Sequence, residues 1–330
     1  MRHRTLGSTD IPVTEIGLGT WEIGGDWGNV SEQEGMEAVT TALDSGIDFL
    51  DTADVYGDGR SERLIRRVLD TADVDPESIT IATKAGRRLD PHTADGYTRE
   101  NLEGFIDRSL ENLGLETLDV LQLHCPPTDV YYRPRVFEGL EALKQAGKIA
   151  HYGVSVEKVE QALKAIEYPG VETVQIIFNP FRQRPAELLF EEVKRRDIGI
   201  IVRVPLASGL LTGVLNRNTE FAPDDHRNFN RDGSAFDRGE TFAGLPYEEA
   251  IEAVKQLRPH VSSEMTMAQM SLRWILDHDA VSTVIPGSTS PQHIHDNAAV
   301  SDFEPLSNET HGAIRDLYES SVYEFVHHQW

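Results

Sequence analysis

The sequence predicts an α/β protein built as a (β/α)₈ TIM barrel, and three observations support this class. Eight short apolar segments of β type alternate with eight segments of helical periodicity. Continuous apolar strands are typical of a parallel sheet that is covered on both faces. Eight units in 330 residues favour closure into a barrel over an open sheet. No linker or low-complexity tract divides the chain, so we predict one domain over residues 1–330.

The elements follow in order from apolar patterning and end signals. Strands are predicted at 14–19, 47–51, 79–83, 118–123, 150–154, 173–178, 199–204 and 282–286. Helices are predicted near 32–45, 61–70, 99–113, 134–146, 157–166, 186–196, 247–258 and 266–277. Ser31, Thr98 and Ser155 stand where N-caps are expected, and Gly46 and Gly114 follow helices as C′ residues do.

Three further segments complete the predicted architecture. Residues 2–13 predict a short β-hairpin, with its turn at Ser8-Thr9-Asp10, that caps one end of the barrel. Residues 216–245 are rich in Asn, Asp and Arg and predict a long loop after the seventh strand. Extra loops and helices are expected near the C-terminus, where the apolar Trp330 is expected to fold back near the mouth of the barrel.

The charge balance limits the partners. The chain has 55 Asp and Glu against 31 Lys and Arg, a formal net charge of −24. Such a field repels phosphate backbones and anionic lipid, so we expect neither nucleic acid nor membrane as partner. The acidity fits either an ordinary acidic protein or, the interpretation we favour, a halophilic one adapted to molar salt. A single cysteine, Cys125, and the lack of a signal-like apolar stretch favour a cytoplasmic protein.

Four polar residues fall at the predicted carboxyl ends of three neighbouring strands. They are Asp51 and Tyr56 after the second strand, Lys84 after the third and His124 after the fourth. Each alone has an ordinary structural explanation, such as helix capping or packing. Barrel enzymes collect their reactive groups at this face, so the four together indicate catalysis.

The chemistry of this set is acid catalysis at a carbonyl. A Tyr phenol has a pKa near 10, which a neighbouring ammonium lowers, and a carboxylate can hold that ammonium in place. His124 can bind the oxygen that Tyr56 protonates. The set contains no activated nucleophile and no metal cage, so we predict no metal and a cofactor that supplies hydride.

The chain resembles the aldo-keto reductase superfamily over nearly its whole length, in particular the bacterial and archaeal branch that includes the potassium-channel β-subunit-like proteins. The matching segments are Gly17-Leu-Gly-Thr-Trp21, Asp51 to Gly57, Thr83-Lys84, Leu121-Gln-Leu-His124, Gly153-Val-Ser155, Gln175 with Asn179, Pro205 to Gly213, Ile285-Pro-Gly-Ser288 and Asp296-Asn297. The resemblance implies that Tyr56 donates the proton, that Lys84 and Asp51 tune it, and that His124 orients the carbonyl. It implies substrate contacts from Trp21, Tyr56 and His124. It implies cofactor contacts from Gly19, Thr20, Trp21, Asp51, Ser155, Gln175, Arg203, Val204, Pro205, Leu206, Ser208, Leu210, Gly287, Thr289, His293, Asp296 and Asn297.

Several positions depart from the family pattern. Val156 replaces a usual Asn or Arg, and Val214 replaces a basic residue. Arg203 stands where an aromatic side chain commonly stacks on nicotinamide, and its charge would disfavour the oxidised ring. Gly287 and His293 replace cations that bind the 2′-phosphate in some branches. NADPH is the family's usual cofactor and remains favoured, with NADH possible.

Other interpretations stay open. Gly17-Leu-Gly19 resembles the start of a dinucleotide fingerprint, but Glu22 stands at the third glycine. His293 and His295 form an H-x-H that points to different sides of a predicted helix, and Cys125 is either a reactive thiol or a buried small residue. The favoured function is reversible reduction of an aldehyde, ketone or sugar carbonyl. A sugar or aldose dehydrogenase acting oxidatively with NAD(P)⁺ and a cofactor-binding regulator like the channel β-subunits are the alternatives, and the substrate and oligomeric state remain open.

Overall fold

The computed structural model describes residues 1–24 and 30–330, and in them eight parallel strands curl into a barrel. Before the barrel lies an antiparallel hairpin of β1 (His3–Thr5) and β2 (Pro12–Thr14). The barrel strands are β3 (Leu18–Gly19), β4 (Phe49–Asp51), β5 (Thr80–Ala85), β6 (Leu118–His124), β7 (Ile149–Ser155), β8 (Val171–Ile177), β9 (Gly199–Arg203) and β10 (Val281–Val284). The predicted fold class and all eight predicted strand positions are confirmed.

The strands pair in sequence order from β3 to β10, and the two ends of the sheet then meet. Parallel bridges join Ile16 to Val284 and Gly19 to Gly287. A Cβ on Gly19 would lie 2.9 Å from the carbonyl oxygen of Ile285, so this close approach of two backbones requires glycine. The predicted strand 14–19 is therefore right in place but too long, because Thr14 belongs to the hairpin strand β2 and Ile16 makes an isolated bridge instead of a continuous ladder.

Helices cover the outside of the barrel. They are α1 (Trp21–Gly24), α2 (Glu32–Asp44), α3 (Arg60–Leu69), α4 (Arg99–Leu113), α5 (Pro134–Gln145), α6 (Val159–Ala165), α7 (Leu189–Arg196), α8 (His226–Phe229), α9 (Tyr247–Leu257), α10 (Met267–Leu276), α11 (Pro291–Ala298), α12 (Asn308–Leu317) and α13 (Tyr323–Val326). The eight predicted helices correspond to α2 through α7, α9 and α10. Helices α11 to α13 are the extra ones expected near the C-terminus. No helix of residues 1–24 or 30–330 combines the length and apolarity that crossing a membrane requires.

The helix end signals were predicted with one error. Ser31 and Glu34 form a full capping box, and the Thr98 side chain accepts from the Asn101 N–H. Gly114 ends α4 in the left-handed region with φ of 71°. Ser155, in contrast, is the last residue of β7 and caps nothing, because α6 begins only at Val159. The strand runs one residue further than its apolar pattern indicated.

The hairpin closes the end of the barrel where the strands begin, as predicted. Its turn is a short 3₁₀ segment at Gly7–Thr9, followed by Asp10 in the left-handed region. Leu6 and Val13 insert from the hairpin into a separate apolar cluster with strand residues that include Phe49 and Ile201. Burying these side chains excludes water from the closed end of the barrel. The opposite end, where the strands finish, is left for function.

The segment 216–245 is a long connection, as predicted, but it contains α8 and two 3₁₀ turns. Trp330 folds back onto it: the indole Nε1 donates to Asp237 Oδ1 at 2.7 Å. The buried Arg182 guanidinium lies 4.0 Å from the centre of the Trp330 ring and donates to the backbone oxygen of Ala243 at 3.1 Å. The tail thus contacts segment 216–245 three residues before Glu240, a residue of the cavity described below.

We expect Trp330→Phe to lower the free energy of unfolding by about 1–3 kcal/mol, because the half-buried carboxylate of Asp237 loses a hydrogen bond to the indole. Urea unfolding followed by circular dichroism measures the loss. Arg238→Ala is the matched control, since it removes an exposed hydrogen bond between Arg238 and Gln329 in the same contact. An equal loss in both variants would contradict a special contribution of the indole.

Candidate active site

One large cavity opens at the end of the barrel where the strands finish. Its volume is about 980 Å³, at the upper end of the range for small-molecule and cofactor pockets. Strand-end residues form its floor, and its walls come from the loops after β3, β9 and β10 and from segment 216–245. This is the face at which barrel enzymes carry their reactive groups.

The four polar residues predicted from strand ends meet at the floor of this cavity. The Lys84 Nζ donates to Asp51 Oδ1 at 2.6 Å, to the backbone oxygen of Thr52 at 2.8 Å and to the Tyr56 hydroxyl at 3.2 Å. Lys84 is 1% exposed and does not line the cavity, so it acts from behind Tyr56. The His124 ring packs edge-on against the Tyr56 ring, with centroids 5.9 Å apart.

Burial and charge set the protonation states at this floor. Burial raises the pKa of the Tyr56 hydroxyl above its usual value, although the Lys84 ammonium lowers it, so the phenol keeps its proton at neutral pH. The sequence-based expectation of a net lowering is therefore wrong, because desolvation of the phenolate outweighs the ammonium. Burial, with the charges of Arg87 and Lys84, holds the pKa of His124 well below its usual range, so its imidazole is neutral.

An aromatic wall stands over Tyr56. The Trp21 ring stacks near the Tyr56 ring at 6.3 Å between centroids and contacts the rings of His226 at 5.0 Å and Phe236 at 5.7 Å. His226 and Phe236 belong to segment 216–245, which therefore closes one side of the cavity. The predicted substrate residues Trp21, Tyr56 and His124 all line the cavity.

Beside Asp51, a polar group suited to an amide continues the floor. Gln175 Nε2 donates to Asp51 Oδ2 at 2.6 Å, and the Ser155 hydroxyl lies 3.4 Å from Gln175 Oε1. Both side chains are about 1% exposed and both line the cavity. Asn179 Nδ2 holds the backbone oxygen of Val204 at 2.9 Å, where Val204 has φ of 50°. A β-branched residue in the left-handed region is strained, which is typical of binding sites.

Arg203 differs from its expected role as an isolated stacking cation. Its Nη2 donates to Glu157 Oε2 at 2.9 Å and its Nη1 lies 3.5 Å from Glu240 Oε2, while Arg87 pairs with both carboxylates. Burial and the neighbouring Glu240 raise the pKa of Glu157 to about 7, whereas Arg87 and Arg203 overcome burial and lower the pKa of Glu240. The charge of Arg203 is thus paired and not isolated, which weakens the argument that it disfavours oxidised nicotinamide.

The remaining cavity residues lie after β9 and around the start of α11. The predicted residues that line the cavity here or beside β3 are Gly19, Thr20, Val204, Pro205, Leu206, Ser208, Gly287, Thr289, His293, Asp296 and Asn297. Leu210 is an exception: it is fully buried in the apolar core and does not line the cavity. The backbone turns back between Ser208 and Gly209, which have positive φ, and this directs Leu210 inward.

Sequence reasoning missed seven charged or aromatic residues of the cavity wall. They are Glu22, Arg87, Asp224, Arg227, Phe229, Phe236 and Glu240. Arg87 could have been found, since it follows β5 by two residues, at a strand end. The others gave no signal, because a loop conformation and not a periodic pattern brings them to the cavity.

The other candidate residues have structural roles in the described part of the chain. Burial raises the pKa of the Cys125 thiol to about 12, which agrees with a buried small residue and not with a reactive thiol. Cys125 does lie near Glu157 and Glu240, but both carboxylates are paired with arginines. In the loop after β6, Tyr131 is fully buried and Tyr132 is exposed, and neither lines the cavity.

Comparisons with known proteins agree with this geometry. The model of the Aldo/keto reductase family matches residues 15–319. The NADH-specific methylglyoxal reductase of Escherichia coli is 26% identical over 97% of this chain and 99% of its own length. A probable voltage-gated potassium channel subunit beta of Arabidopsis thaliana is 24% identical over 93% of each chain. Among solved structures, holo aldo-keto reductase AKR11C1 from Bacillus halodurans has a TM-score of 0.78 and 25% identity over 98% of each chain. Since the family model matches most of the sequence, this chain belongs to the aldo/keto reductase family.

Proposed function

We propose that this protein reduces the carbonyl group of an aldehyde, ketone or sugar to the alcohol, with Tyr56 as the proton donor. The observation that carries the proposal is the Lys84 ammonium, which lies between Asp51 and the Tyr56 hydroxyl beneath a cavity that also contains His124. No simpler structural purpose accounts for a buried lysine aimed at a cavity-lining phenol.

The residues around the carbonyl have distinct tasks. Tyr56 holds its proton at neutral pH and transfers it to the carbonyl oxygen as negative charge develops there. Lys84, 3.2 Å away, stabilises the phenolate that remains, and Asp51 keeps Lys84 charged. The neutral imidazole of His124 supplies a hydrogen bond that orients the carbonyl. The Trp21 wall excludes water from the reacting atoms.

The residues of the cavity fit a nicotinamide dinucleotide. The buried amide and hydroxyl of Gln175 and Ser155 suit a carboxamide at the floor, next to Asp51. The backbone from Val204 to Ser208, with positive φ at several residues, presents main-chain groups to a pyrophosphate. When bound, the reduced cofactor supplies the hydride that no side chain of this set can give.

The decisive experiment follows oxidation of reduced cofactor by an activated aromatic aldehyde, with NADPH and NADH side by side. We expect stoichiometric alcohol formation with at least one of them. Tight cofactor binding without turnover of many different carbonyl compounds would favour a regulatory protein instead. The similarity to a channel subunit beta is the reason for considering that alternative. If sugars reduce NAD⁺ or NADP⁺ faster than the protein reduces any aldehyde, the protein is an oxidative dehydrogenase instead.

We further propose that the acidic chain works best at high salt, because a net charge of −24 is self-repelling in dilute buffer. The same assay in about 0.1 M and in molar KCl tests this. The rate and the thermal midpoint should both rise with salt. Full activity and an unchanged midpoint in dilute buffer would contradict it.

A further inference from the structure

Carboxylates dominate the part of the cavity next to α11, which we call the α11 end and define by Glu22, Gly287, Thr289, His293 and Asp296. If the reacting ring of the cofactor lies over Tyr56, its other end must leave the barrel between the loops after β9 and β10. Those loops lead to the α11 end. The adenosine ribose of the cofactor therefore belongs there. Its 2′-oxygen carries a phosphate in NADPH and a hydrogen in NADH.

Glu22 occupies the position that a phosphate would need. Its carboxylate lies near the backbone N–H of Thr289, just before the start of α11, and this N–H lowers the pKa of Glu22 against the effect of burial. Backbone N–H groups at the start of a helix are favoured donors to phosphate. Glu22 Oε1 also lies 3.3 Å from the place that a Cβ of Gly287 would take, so the carboxylate fills the space above this glycine.

The charges around Glu22 do not favour a phosphate either. No lysine lines the cavity within the part of the chain that the structure describes. The guanidinium of Arg227, whose charge lowers the pKa of Glu22, is also paired with Asp225, with its Nη2 at 2.6 Å and its Nε at 3.0 Å from the carboxylate oxygens. Asp224 and Asp296 add negative charge to the cavity wall. A 2′-phosphate would face more carboxylates than cations.

We propose that Glu22 makes this enzyme select NADH over NADPH. A ribose hydroxyl can donate to the Glu22 carboxylate, whereas a 2′-phosphate is repelled by it and loses the Thr289 N–H. This inference rests on the proposed function and reverses the NADPH preference that the family resemblance favours. It assigns cofactor choice to a residue of α1, the short helix after β3, near the start of α11.

The test is the dissociation constant of each reduced cofactor, measured by fluorescence titration without substrate. It is done at pH 8, because burial raises the pKa of Glu22 to about 7 and the carboxylate must be charged. The wild type should bind NADH at least about tenfold more tightly than NADPH. Glu22→Gln should reduce this ratio by about fivefold or more, mainly through tighter NADPH binding. Glu22→Asp should keep most of it.

A matched control separates the local effect from net charge. Glu37→Gln removes the same charge from an exposed site on α2 and should leave both constants unchanged. The inference is overturned if both cofactors bind and Glu22→Gln leaves their ratio as it was, or if the wild type prefers NADPH. If neither cofactor binds to the folded wild type, the proposed function itself fails, and this inference with it.

Discussion

Tyr56→Phe should lower kcat for aldehyde reduction by about 10²–10⁴-fold and leave the dissociation constant of the reduced cofactor unchanged. The variant removes only the hydroxyl that Lys84 contacts at 3.2 Å, and the ring can still pack against Trp21 and His124. Steady-state rates and fluorescence titration measure the two quantities separately. The loss should be in kcat, because the proton is transferred only in the chemical step.

Tyr97→Phe is the matched control for this variant. Tyr97 is a buried tyrosine whose hydroxyl contacts His92 at 2.8 Å, but it does not line the cavity. Its turnover should stay close to that of the wild type. Near-normal turnover of Tyr56→Phe would rule out Tyr56 as the acid. An equal fall in both variants would indicate a general loss of packing instead.

The pH dependence of the wild type gives a second check on the same residue. Reduction needs the protonated phenol, and burial raises the pKa of Tyr56 above its usual value of about 10. The phenol therefore keeps its proton throughout the ordinary assay range, and the reduction rate should not fall between pH 7 and about 9 for this reason. A fall that is centred near pH 7.5 and absent from Tyr56→Phe would contradict the raised pKa.

The sequence predicted the barrel well because its signals are local and repeated. A strand such as β9 is a continuous apolar run up to Arg203, and helices such as α4 carry both a capping threonine and a terminal glycine. Parallel strands then bring their carboxyl ends together whatever the loops do. That is why Asp51, Lys84 and His124 could be placed together before any coordinates were known.

The loops explain what could not be predicted. Segment 216–245 has no periodic pattern, yet it brings Phe236 to Trp21 and Glu240 to Arg203 and Arg87. Whether Arg203 is an isolated or an offset charge depends on that loop, and so the sequence alone led to the wrong expectation. Likewise the net pKa of Tyr56 depends on the amount of solvent excluded, which residue identity does not reveal.

The two halves of the cavity therefore differ in how their charges are arranged. At the floor, Lys84 is matched by Asp51, and the two arginines are matched by Glu157 and Glu240. Such pairing fixes geometry, because each charge left alone in a buried site would be costly. At the α11 end the carboxylates are in excess, which gives selectivity between ligands of different charge. The stability of the folded protein therefore depends on the ion pairs at the floor.

Lys84→Met should lower the free energy of unfolding by about 3–5 kcal/mol, because it leaves the Asp51 carboxylate buried without its cation. Asp51 is 3% exposed, and among the residues that the structure describes only the Gln175 amide remains within hydrogen-bond distance of its carboxylate. Adding Asp51→Asn to Lys84→Met removes the buried negative charge and should recover much of the lost stability. The ion pair is absent from the single variant and from the double variant alike. Urea unfolding of the two single variants and the double variant gives the coupling energy directly.

The loss in Lys84→Met should also depend on pH, and the sign follows from Asp51. Burial raises the pKa of Asp51 even beside Lys84, and without the ammonium the pKa rises further. A group whose pKa is raised on folding stabilises the fold at low pH and loses that contribution as the pH rises. The variant should therefore fall further below the wild type at pH 8 than at pH 5, while Lys84→Met with Asp51→Asn should lack this trend. A pH-independent loss, or a double variant no more stable than Lys84→Met, would mean that the lysine contributes by packing and not by neutralising Asp51.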